Sequence, residues 1–100
     1  MQFNMILKLE LEKLESGTYE ARCTGQVTPT FHDSIAAALR HYGEDIPPEF
    51  ARFVEVRYHE VSLGTTRVSR LTKEPELMAN ELVALLAAVY QSIQEVKVVA

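Results

Sequence analysis

His59 and Glu60, side by side in FVEVRYHEVSLG (residues 53–64), are the first residues whose types could do chemistry. An imidazole beside a carboxylate can move a proton or share a metal ion. A zincin, however, needs a second histidine one helical turn further on, and Leu63 stands there instead. Val54, Val56 and Tyr58 alternate with Glu55, Arg57 and His59, which predicts a strand with His59 and Arg57 on one polar face. A neighbouring cation opposes metal binding, so the pair reads as the wet side of a strand. His32-Asp33 would need further ligands that no recognisable spacing supplies, and Asp33 fits better as a helix-capping residue. His41 falls near the end of the same predicted helix, where a cation suits the dipole. Cys23, the only cysteine, alternates with Tyr19 and Ala21 and reads as a small core residue rather than a nucleophile. No phosphate loop, dinucleotide fingerprint or pair of catalytic carboxylates occurs. The expectation is a non-enzymatic protein with no catalytic residue, no metal site and no cofactor.

Charge offers a different chemistry. Arg52, Arg57, Arg67, Arg70 and Lys73 are half of the ten basic residues, and they meet only Glu55 and Glu60 within residues 52–73. That segment is +3 on a chain of net charge −4, which leaves −7 for the remainder. A basic segment on an acidic body could contact phosphates, with Thr65, Thr66 and Ser69 adding hydroxyl donors. The competing reading pairs these cations with Glu55, Glu60, Glu74 and Glu76 on a solvated surface.

These residues need elements to hold them. Leu7, Leu9 and Leu11 alternate with charged residues, Leu14 falls out of phase, and Ser16-Gly17 turns the chain. Tyr19, Ala21 and Cys23 resume the alternation, so a hairpin is predicted over roughly residues 3–14 and 18–25. Phe31, Ile35, Ala38, Leu39 and Tyr42 form the stripe of an amphipathic helix, with Thr30 as N-cap and Gly43 as its left-handed stop. Pro47-Pro48 forbids regular structure in the connection that follows. The strand from Phe53 is expected to turn at Gly64-Thr65-Thr66 and run back over Arg67 to Leu71. Glu74-Pro75-Glu76 then opens a second helix. Its stripe is Met78, Leu82, Leu85, Leu86, Val89 and Ile93, and Leu77, Val83 and Ala84 widen it beyond what one small sheet covers.

The predicted fold is α+β, a two-layer ββα-ββα domain spanning residues 1–100. An antiparallel four-stranded sheet carries two helices on one face. Shifted by 47 residues, Leu7, Leu9, Leu11 and Leu14 fall on Val54, Val56, Tyr58 and Val61, which leaves an internal pseudo-duplication open. No apolar run approaches the ~20 residues of a membrane span, and the N-terminal MQFNMILKLELEK lacks the basic start of a signal peptide. A lone cysteine suits a reducing, cytoplasmic setting.

Gly17-Thr18-Tyr19-Glu20-Ala21-Arg22, then Gly25, then Asp33-Ser34-Ile35-Ala36-Ala37-Ala38-Leu39 resembles the hairpin-then-helix unit of the HicB-type antitoxin family. The family's glycine-aspartate-threonine run before the helix is missing here, and the second half offers no recognisable ribbon-helix-helix. The resemblance implies a regulatory protein. Taken together, the residues predict a regulatory or adaptor protein acting as a homodimer, with Leu77, Val83 and Ala84 at the dimer interface and a protein partner. A second reading has the chain bind nucleic acid, as a transcription regulator or antitoxin would, through Arg52, Arg57, Arg67, Arg70 and Lys73. A third is a small enzyme whose site forms between two copies around His32, His41 or His59.

Overall fold

Leu7, Leu9 and Leu11 point to one side of a strand and Lys8, Glu10 and Glu12 to the other, and that alternation builds the centre of the protein. The computed structural model describes residues 5–99; Phe3 and Asn4, with which the predicted hairpin begins, lie outside them. The strands are β1 (Ile6–Lys13), β2 (Tyr19–Cys23), β3 (Thr30–His32), β4 (Phe53–Tyr58) and β5 (Val61–Arg67). The helix α1 (Ile35–Asp45) follows β3, and α2 (Val68–Lys73) and α3 (Pro75–Val99) follow β5.

The architecture is α+β, but the sheet is mixed and five-stranded, in the order β3-β2-β1-β4-β5, rather than antiparallel and four-stranded. The extra strand comes from residues expected to start the first helix. Thr30 and Phe31 suit an extended backbone, and Ser34 supplies a better cap, its Oγ accepting the Ala37 amide at 3.0 Å. Phe31 therefore faces away from the core, and Thr30 lies inside a strand. The parallel element is the pairing of β1 with β4, which follows from α1 crossing between them.

Leu7 pairs with Val54, Leu9 with Val56 and Leu11 with Tyr58, so the 47-residue offset seen in the sequence is the register of this parallel ladder. Both strands bury the same face, yet β2 lies outside β1 while β5 lies on the opposite side, outside β4. Two parallel strands sharing a buried face, with their hairpin partners on opposite sides, have opposite hands. No rotation superposes them, so the resemblance of the halves is one of burial pattern.

The second hairpin turns earlier than expected. Tyr58 pairs with Val61, so His59-Glu60 is the turn, and His59 takes a φ of 51° that side chains other than glycine's seldom adopt. Residues 68–71 do not run back as a strand; they belong to α2, where Val68 and Leu71 are buried. Gly43 lies within α1 rather than ending it, and a Cβ there would stand 2.7 Å from Thr72 Cγ2 and 2.8 Å from Leu71 Cβ. Its lack of a side chain lets α1 and α2 touch. Three helices rather than two cover the buried face of the sheet, contributing Ile35, Leu39, Tyr42, Leu71, Met78 and Leu82 to one cluster. The other face, with Lys8, Glu10, Glu12, Glu55 and Arg57, is open.

Candidate interaction surface

Pro75 sits in the first turn of α3, Glu76 complements its positive end, and neither glycine nor proline interrupts it thereafter. At 25 residues α3 is about 37 Å long, whereas β5, the longer of the two strands it packs on, has 7 residues and spans about 24 Å. The helix therefore outruns its support. Met78 and Leu82 are fully buried, Leu86 and Val89 are half-covered, and none of the side chains from Val83 to Gln94 is buried. Burial pushes the Tyr58 phenol up, and Tyr19 and Tyr90 push it further the same way.

Leu77, Val83 and Ala84, the predicted interface residues, all point to solvent. The structure adds neighbours: Leu77 is 50% exposed, Val83 51%, Leu85 40%, Tyr90 49% and Ile93 47%. Leu85 and Ile93 were expected on the packed stripe. Both are instead exposed, which the helical period of 3.6 does not reveal. Leu77, Ala84 and Ala88 form one outward stripe, and Val83, Ala87 and Tyr90 a second. From Leu82 to Gln94 there is no Asp, Glu, Lys, Arg or His. Among the described residues no helix is long and apolar enough to cross a membrane.

The five basic residues from 52 to 73 do not share one face. Arg57 is on the open face of the sheet, 3.2 Å from Glu55, whose carboxyl is held low by Ser62 first and Arg57 next. Arg70 is on the helical side, bridging Glu74 at 3.0 Å and Glu81 at 3.1 Å. Arg67 lies 5.9 Å from the Phe53 ring, and Arg52 and Lys73 are exposed.

The structure does bring two histidines together. The rings of His32 and His41 are 5.1 Å apart. Thr30 Oγ1 lies 2.8 Å from both His32 Nε2 and the Tyr42 hydroxyl, which donates to Gln26 Oε1 at 2.7 Å. Each hydroxyl has one proton, so the direction is set: His32 Nε2–H donates to Thr30, Thr30 to Tyr42, and Tyr42 to Gln26. Nothing in the spacing of these four residues announces the chain; it needs β3, which the sequence reading missed. His59 has a separate task, its Nε2 accepting the Lys13 amide at 3.1 Å. Cys23 is buried and unpaired, and burial pushes its thiol up, away from the reactive thiolate. Among the described residues no three His, Cys, Asp or Glu side chains cluster as metal ligands would.

The hairpin-then-helix unit of residues 17–39 contains the additional strand β3 between its hairpin and its helix. No protein-family model, no curated protein and no solved structure matches the chain.

Proposed function

We propose that this chain is a non-enzymatic adaptor that works as a homodimer, with α3 as its self-association helix. The observation that carries the reading is the uncharged run from Leu82 to Gln94, displayed on a helix with no buried side chain from Val83 to Gln94. A helix apolar on most sides is stable when another surface covers it. A second copy is the occupant that matches it in charge. Both faces of such a contact are neutral, so no ion is buried without a partner, whereas a charged partner would lose hydration for nothing. Closed twofold pairing also places the same residues on both sides of the contact. Ala84 and Ala88 on the outward stripe let two helix axes approach closely.

Dimerisation through α3 leaves the open sheet face, with its mixed charges, free to meet a protein partner. The test is Ala84→Glu, at an exposed position that the isolated fold does not need. Light scattering should show a dimer for the parent protein and a monomer for the variant, with unchanged circular dichroism. A dimer that survives the buried glutamate would reject α3 as the interface.

A further inference from the structure

Six arginines occur in the chain, and four of them hold a carboxylate: Arg22 with Glu20, Arg40 with Glu76, Arg57 with Glu55, and Arg70 with Glu74 and Glu81. The two that hold none among the described residues, Arg52 and Arg67, line the same groove, a cavity of about 590 Å³ between the end of α1, the Pro47-Pro48 loop and the start of α2. Their backbones are tied together by the Val68 amide, which donates to the Arg52 carbonyl at 2.8 Å. Arg67 is steadied by the face of Phe53, 5.9 Å away.

The opposite wall is negative. Glu44 and Asp45 line it from the last turn of α1, where the helix dipole already presents its negative end and no basic residue answers it. Acids at a helix C-terminus are disfavoured by the dipole, so both carboxylates gain from a cation brought to them. Neither carboxylate forms an ion pair with the arginines across the groove, so the two charge sets stand apart with an apolar floor of Ile46, Ala51 and Val68 between them. A volume of 590 Å³ falls in the range of small-molecule sites, roughly 300–1,000 Å³.

We propose that this groove binds a small zwitterion with an apolar body, an amino acid or short peptide, its carboxylate held by Arg52 and Arg67 and its ammonium by Glu44 and Asp45. A guanidinium pair matches a carboxylate in shape as well as charge. The acidic wall supplies the complementary end and excludes simple anions. Ser69 and Thr72, also on the rim, offer hydroxyls beside the carboxylate end.

Calorimetric titration with L-leucine and the dipeptide Leu-Leu tests this, with 3-methylbutylamine and 4-methylpentanoate as analogues that carry only one of the two charges. At least one zwitterion should bind saturably, and each single-charge analogue should bind about tenfold more weakly or not at all. Arg67→Ala and Glu44→Gln should each weaken the zwitterion about tenfold. Both positions are exposed, and the variants should keep the parent's circular dichroism and oligomeric mass, so this result stands apart from that for α3. Amide chemical shifts of Ser69 and Thr72 should move during the titration. The proposal is overturned if neither zwitterion binds, if the single-charge analogues bind equally well, if the substitutions change nothing, or if the shifts move elsewhere.

Discussion

His32 links two parts of the protein through one proton. As the donor at the head of the chain to Thr30, Tyr42 and Gln26, it orients the Thr30 hydroxyl whose bond to Tyr42 ties the short edge strand β3 to α1. Burial lowers its pKa first, the neighbouring His41 lowers it further, and Asp33 partly opposes both. The folded protein therefore takes up the second ring proton, at Nδ1, less readily than the unfolded chain does. The stability the neutral ring contributes is present above the unfolded value, about 6.5, and is lost as pH falls through that value toward the folded one. Thermal melts between pH 7.5 and 5, a range of about two to three units around that value, should show the midpoint falling with acid. His32→Gln, which keeps a donor to Thr30 without a titrating ring, should flatten part of that slope. Parallel slopes for the two proteins would exclude His32 as the source.

At the scale of the elements, two contacts carry distinct costs. Gly43 allows α1 to lie against α2, so Gly43→Ala pushes a methyl into Thr72 Cγ2 at 2.7 Å. Overpacking of this kind costs about 1–3 kcal/mol, and the helical gain of alanine over glycine returns about 0.5–1, so urea melts should show a net loss near 1 kcal/mol. On α3, Leu82→Ala should cost about 2–5 kcal/mol, because Leu82 is fully buried in the core cluster. Leu85→Ala, half-exposed three residues on, should leave the monomer's stability nearly unchanged. Equal losses at the two positions would mean that Leu85 is packed inside the fold. These elements were partly legible beforehand. The alternation of Leu7 to Leu11 and Val54 to Tyr58 is written directly in the chain, because one buried sheet face imposes a period of two. The out-of-phase Val61 was not a slip within a strand. It is the first residue after a two-residue turn, and a histidine at positive φ gives no such warning. Strand β3 was hidden because Phe31 continues the spacing of the helix that begins only at Ile35. Which strands pair is set by distant contacts, so the parallel ladder between β1 and β4 could not be read from local pattern.

The whole molecule is elongated, with a long axis of 53 Å against 32 and 26 Å across, and most of the uncharged part of α3 is exposed. Of the proposed surface, Leu77, Val83 and Ala84 were legible as a surplus of apolar residues. The exposure of Tyr90 and Ile93 became visible only in the fold. The arginines were legible as a charge excess, but their partners, and the groove that collects the two with no carboxylate partner among the described residues, depend on the fold. The adaptor role requires above all that α3 meet a second α3. Sedimentation velocity across a concentration series measures this directly. The prediction is a species of twice the 11.3 kDa chain mass that gives way to monomer only on dilution. A single monomeric boundary at every concentration would contradict it.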